Sequence, residues 1–193
     1  MVPEWSRRKT LQLSSSAVLA GLAGCSTLGF GSRPQADSSL GTTAYDVVID
    51  GQPTIDGHVP AVWGVMFGHP DPAHKLIDWG ALTPAEGDSG PGTEFRTFDP
   101  NTQFMSAVVG VLPTGDSLVG YSDENENIVE DVVEDFTERP TFDDGQLRYD
   151  VTSYQAFVPE PDAPEYHYDY TFTLWHLNGA DRPTEIDVTY RDP

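Results

Sequence analysis

Five oxygen-bearing side chains recur along "DENENIVEDVVE": Asp123, Asn125, Asn127, Asp131 and Glu134 fall at positions 1, 3, 5, 9 and 12 of a calcium-loop pattern. A hard divalent cation takes roughly six to eight oxygen ligands, so this run is the chain's best candidate for a metal site. Its sixth position argues against it. The sharp turn there needs the left-handed freedom of glycine, and the chain has Ile128, a β-branched residue that resists it. A solvated acidic turn accounts for the same residues. Histidine ligation by His69, His74, His167 and His176 is a second option, but no paired cysteines and no His-x-x-x-His spacing support zinc. His167 is expected on the polar face of a strand, and His176 as a satisfied histidine at a strand end.

Nucleophilic catalysis has one candidate. Residues 87–92 read "GDSGPG", which resembles the "GDSGGP" around the nucleophile of chymotrypsin-like proteases and would make Ser89 the nucleophile. The motif departs from the family at Pro91. The triad also needs a histidine far upstream in a two-barrel domain, whereas His58, His69 and His74 all lie close by in a chain too short for two barrels. No nucleophile, base and orienting group can be assembled, so the sequence predicts a non-enzymatic protein without a cofactor.

The lone cysteine carries a different chemistry. It closes "SRRKTLQLSSSAVLAGLAGC", in which Arg7, Arg8 and Lys9 precede an uncharged run of 13 residues, 11–23, and then small residues. That is the layout of an export signal. The run is too short to span a bilayer core, which takes roughly 20 apolar residues. Paired arginines beside so modest a hydrophobic stretch resemble a twin-arginine signal. "LAGC", residues 22–25, matches a lipobox, in which Cys25 becomes the lipidated first residue of the mature protein. Two acyl chains on Cys25 would hold it firmly, at ~0.8 kcal/mol per buried CH₂.

Charge adds a second constraint. The chain's formal net charge is −21, and residues 1–24 hold three of its ten basic residues and one of its 31 acidic ones, so residues 25–193 carry −23. Such an excess repels nucleic acid and anionic lipid, and self-repulsion opposes a compact state. Molar salt removes that stress, since the Debye length falls to about 3 Å. The composition is otherwise globular, with 38% hydrophobic and 11% aromatic residues. The twin arginines, the lipobox, the acidic bias and the closing "HLNGADRPTEIDVTYRD" together resemble exported lipoproteins of halophilic archaea. That resemblance implies an address on the outer face of the cell membrane, not an activity. A weaker similarity lies in "LPTGDSLVGYS", residues 112–122. It is similar to the "PTGGYS" turn of small PrcB-like sandwich domains, thought to bind and stabilise partner proteins. Pro113, Thr114 and Gly115 align, and Gly120, Tyr121 and Ser122 return after an insertion.

These features need elements to position them. Residues 1–24 read as the signal peptide, 25–43 as a flexible tether rich in Gly, Ser and Thr, and 44–193 as one domain of about 150 residues, enough for a single core. "YDVVIDG" reads as a short strand and "VPAVWGVMFG" as a buried one. "DPAHKLIDWGAL" predicts a short helix with Asp71 as cap, Pro72 at its first position and Leu76 and Ile77 inward. Residues 83–93 read as a loop. "FMSAVVGVLP" is apolar on both faces and reads as central to a sheet. "YHYDYTFTLWHL" alternates, with Tyr166, Tyr168, Tyr170, Phe172 and Leu174 on one face and His167, Asp169, Thr171 and Thr173 on the other. "TEIDVTY" turns Ile186, Val188 and Tyr190 inward. "GQLRYDVTSYQAFV" alternates until its phase slips near Ser153, the mark of a bulge. In "NIVEDVVEDF" the spacing favours a short helix, while the β-branched content argues for a strand. The sum is a mainly β fold, an antiparallel β-sandwich with one or two short helices, preceded by a signal peptide and flexible linker.

The functional expectation is a membrane-anchored extracytoplasmic lipoprotein that binds or scaffolds an envelope protein partner through exposed Tyr and Trp side chains. The alternative is a ligand- or cation-binding lipoprotein serving a transporter or respiratory complex, with the acidic segment 123–135 as its site.

Overall fold

A computed structural model describes residues 33–54, 59–82, 93–120, 140–156 and 158–191. Its centre is a pair of eleven-residue strands, β3 (Gln103–Pro113) and β7 (Tyr166–His176), antiparallel along their whole length from Gln103 opposite His176 to Pro113 opposite Tyr166. Both are buried on both faces, as the run of apolar residues in β3 predicts. β1 (Gln35–Ala44) flanks β7 and β2 (Ala61–Phe67) flanks β3, giving a four-stranded sheet in the order β1-β7-β3-β2.

A second sheet lies against one face of the first. β6 (Gln146–Gln155) pairs with β4 (Asp116–Gly120) and β5 (Thr141–Asp143), and also with β8 (Glu185–Tyr190). All pairings are antiparallel except β6 with β8, which run parallel. The fold is therefore a mainly β sandwich, as the strand pattern predicts. Phe104, Val108, Leu112, Leu118, Leu147, Val151 and Trp175 fill the space between the sheets. The outer face of the larger sheet carries a second core of Met105, Val109, Tyr170, Phe172 and Leu174. That core is covered by residues 45–52 and the helices α1 (Pro70–Leu76) and α2 (Thr93–Thr97). Among the described residues no helix is long and apolar enough to cross a membrane.

Several local expectations are corrected. The fold extends back at least to Gln35 rather than starting near Ala44: the second half of the supposed tether is β1. Its Ser, Thr and Gly content reads as a linker because the strand is held by backbone pairing with β7, with Leu40 its one large apolar side chain. "YDVVIDG" forms no strand, only an isolated bridge between Ile49 and Ile77. Backbone bonds to Leu76 and Asp78 form that bridge, and side chains take two further N–H groups. Val48 N–H donates to the Tyr170 hydroxyl at 3.1 Å, and Ile49 N–H to Gln52 Oε1 at 2.8 Å. α1 starts at Pro70, not Pro72, with His69 as N-cap and no side-chain cap. Proline suits any first-turn position, and Asp71 stays in the first turn, where the helix dipole favours an acid. α2 starts at Thr93, the last residue of the expected loop.

No bulge interrupts β6 near Ser153, since its register with β4 runs unbroken from Gly120 opposite Val151 to Asp116 opposite Gln155. The phase slips because the neighbours change at Val151, where the pairing with β8 ends and that with β4 begins. A register shift lies instead in β1, between Ala36 and Ser38. The segment 127–137, with its choice of helix or strand, lies outside the described residues.

Two glycines let the sheets approach. A Cβ on Gly64 of β2 would stand 2.6 Å from Val188 Cγ2 and 2.8 Å from Ile186 Cδ1 of β8. One on Gly110 of β3 would stand 2.7 Å from Leu118 Cδ1 of β4. Gly64→Ala is accordingly expected to cost about 1–3 kcal/mol by overpacking. Adding Val188→Ala to it should cost less than the two single losses combined, because the second change clears the space the first fills. Denaturant midpoints of the three variants check this; strict additivity would show that β8 does not rest on Gly64.

Candidate functional site

Alternation places His167, Asp169, Thr171, Thr173 and Trp175 on one face of β7, the face turned to the smaller sheet. The polar residues among them were expected to meet water. They are buried instead: His167 is 2% exposed and Asp169 7%. The reason is the second sheet, which covers this face as the helices cover the other.

Asp169 stands opposite Gly110 of β3 and Thr43 of β1. With no side chain at Gly110, Leu118 of β4 settles onto β3 and its own backbone comes within reach of the carboxylate: Leu118 N–H donates to Asp169 Oδ2 at 2.7 Å. Burial raises the Asp169 carboxyl to about 7, and the amide hydrogen bond opposes that rise only in part. Tyr154 of β6 faces the same carboxylate, and its hydroxyl is raised by burial and by the Asp169 charge. Two residues away, His167 is pushed the other way. Burial lowers its imidazole to about 4, against a hydrogen bond with the backbone of Asp116 that favours the charged form. Asp116, at the start of β4, has its own carboxyl raised by burial.

Nearer the other end of β7 a second polar cluster joins the sheets. Trp175 Nε1–H donates to Ser106 Oγ at 2.8 Å, and Ser106 Oγ shares a hydrogen bond with the Tyr149 hydroxyl at 2.9 Å. Burial raises the Tyr149 hydroxyl far above its usual value. On the opposite face the Tyr170 hydroxyl serves as a hub. It accepts from Val48 N–H and from Gln52 Nε2 at 2.8 Å, and so pins the 45–52 segment to β7.

Chemically, the Asp169 group can hold or release a proton near neutrality, but one of its oxygens is capped by an amide and β4 lies over it. It acts as a titratable tie between two sheets. Sequence reasoning placed Asp169 and His167 on the right face and missed their burial. One signal was available: in a chain with 31 acidic residues, the polar face of this strand carries a single one, with threonine at 171 and 173.

Of the residues singled out from the sequence, the described histidines His69, His74, His167 and His176 are not gathered into one metal site. Arg7, Arg8, Cys25, His58, Ser89, Asp123, Asn125, Asn127, Asp131 and Glu134 lie outside the described residues. His69 caps α1, and His74 Nε2–H donates to the Arg96 carbonyl at 2.8 Å. His176 ends β7, where its Nδ1 accepts from Asn178 N–H at 3.3 Å. Among the described residues no three His, Cys, Asp or Glu side chains come together as a metal site would require. Exposed aromatic anchors are also fewer than expected: Trp79 and Trp175 are buried, and the large apolar side chains exposed among the described residues are Tyr45, Val47 and Val158. No protein-family model, no curated protein and no solved structure matches this chain.

Proposed function

We propose that this chain is a lipoprotein held on the extracytoplasmic face of the membrane through acylated Cys25, and that its sandwich serves there as a non-enzymatic protein-binding module. One observation carries the reading: the lipobox "LAGC" at residues 22–25 ends ten positions ahead of Gln35, where β1, the first described strand, starts. An anchor so close to the first strand keeps the domain near the bilayer, within reach of other envelope proteins. A binding role is supported by the closure of the polar groups between the sheets. Asp169, raised to about 7, and His167, lowered to about 4, lie beneath β4 rather than in an open cleft. Tyr45 and Val47, exposed just after β1, offer the apolar contact in place of tryptophans.

The test is carboxylate-directed crosslinking in intact cells at native salt, followed by recovery of the full chain and mass spectrometry, beside a Cys25→Ser control. The expected result is a mature N-terminus at acylated Cys25 and a reproducible protein partner that is lost in the control. An unlipidated N-terminus upstream of Cys25 would overturn the anchoring, and a lipidated protein without a partner would overturn the binding role.

A further inference from the structure

The edges of the two sheets differ in how far they are protected against pairing. β5 is three residues long and flanked by the charged pair Arg148 and Asp143, 3.8 Å apart. β4 is short and opens on Asp116. β8 presents Glu185 and Asp187 outward. β2, like β1, has a single described neighbour, but β8 packs across its face, where Ile186 and Val188 rest on Gly64. Such devices are how β proteins keep their edges from pairing with one another. β1 has a bulge at Ala36/Ser38 and one charge, Asp37, and both lie at its start. From Ser38 to Ala44 it is uncharged, regular and paired with β7 alone, so one side of its backbone faces no described strand.

We propose that this edge pairs with the same edge of a second copy of the chain, antiparallel about Gly41, joining two four-stranded sheets into one of eight. The argument for a second copy is charge. On a domain of −23, few surfaces can face themselves without repulsion. About Gly41 the pairs would be Ser38 with Ala44, Ser39 with Thr43 and Leu40 with Thr42, and no ionised group meets its like. Asp37 falls beyond the paired span. The pairing supplies the missing hydrogen bonds of the free backbone side, as in strand addition generally. It is an isologous contact, closed at two chains. It also stands apart from the binding role above, since a dimer can form whether or not a third protein is recruited.

Gly41 supplies the test. A Cβ there meets nothing within 4 Å, so a side chain is tolerated in the monomer, yet the position sits on the two-fold axis of the dimer. Sedimentation of the full chain carrying Cys25→Ser, at roughly 100 µM, is expected to give the mass of two chains. Gly41→Ser should leave that mass unchanged. Gly41→Asp should weaken the dimer about tenfold at low salt by setting two carboxylates opposite each other. The gap between these variants should close at molar salt, where the Debye length is about 3 Å. As a second measurement independent of charge, Gly41→Cys in the same background should oxidise to a covalent dimer much faster than Val47→Cys, because directly opposed residues lie about 4.5–5.5 Å apart, within disulfide reach. A wild-type mass of one chain at that concentration, equal behaviour of Gly41→Asp and Gly41→Ser, or equal oxidation rates would overturn the proposal.

Discussion

Asp169→Asn is expected to stabilise the protein above pH 7 and to leave its stability unchanged below pH 4. Burial raises this carboxyl from its ordinary 3.8 to about 7, so between those values the folded state holds a proton that the unfolded chain releases. Stability therefore falls as pH rises through that window, by ~1.4 kcal/mol per unit, on the order of 4 kcal/mol in all. Asparagine keeps an oxygen for the Leu118 amide and carries no charge to desolvate. His167 contributes the opposite slope. Its folded value is lowered from 6.5 to about 4, so the unfolded chain binds the extra proton between those values and stability rises with pH across them.

In the wild type the two slopes nearly cancel from about pH 4 to 6.5, since one group loses what the other gains. The variants uncover them. Asp169→Asn should show stability climbing with pH through this range, and His167→Gln should show it falling. Denaturant melts between pH 4 and 8, taken as differences from wild type so that the many surface acids drop out, measure both. Parallel curves for the wild type and the two variants would show that neither group is perturbed by its burial. Tyr154 and Asp116, the other titratable groups facing this pair, are raised as well, and Asp169→Asn removes the charge that adds to burial in raising Tyr154.

Trp175→Ala should be the most damaging single truncation, costing about 3–5 kcal/mol against a total stability for domains of this kind of about 5–15 kcal/mol. The indole is fully buried between the sheets, stacked on Phe104 with ring centres 6.1 Å apart and set edge-on to Phe142 at 5.3 Å. Its loss opens a void touching both sheets and takes away the donor to Ser106, while Tyr149 keeps its hydrogen bond with that hydroxyl. Trp175→Phe should cost clearly less, since it fills much of the void and forfeits the same hydrogen bond. Urea midpoints with unchanged slopes would separate the two terms. Equal losses in both variants would mean that the hydrogen bond, not the volume, holds the sheets at this point.

What the sequence revealed depended on whether side chains or backbone hold an element. β2, β3, β7 and β8 are legible because their apolar runs or alternations record the surfaces they bury. β1 is not, because "QADSSLGTTA" buries little and is ordered by a partner more than a hundred residues away. Residues 45–51 mislead in the opposite sense: their apolar content is real and Val48 and Ile49 are buried, but Tyr170 and Gln52 satisfy the backbone where a neighbouring strand was expected. For β7, alternation separates two faces and says nothing about which face meets water. Only the presence of the smaller sheet decides that, and with it the environments of Asp169 and His167. The candidate site was thus legible as a pair of positions but not as a buried pair.

The strand order β1-β7-β3-β2 also sets a sequence of events during synthesis. β2 and β3 can pair once residue 113 has left the ribosome, but β1, made first, has no neighbour until residues 166–176 follow. β8 comes later still, and its parallel place beside β6 requires the chain to pass through β7 in the other sheet before returning. Neither sheet can therefore be completed from the first half of the chain. Contacts this distant in sequence slow folding, because the intervening loop must be closed before any pairing offsets its entropy. The nascent chain spends most of its translation with its least protected strand unpaired.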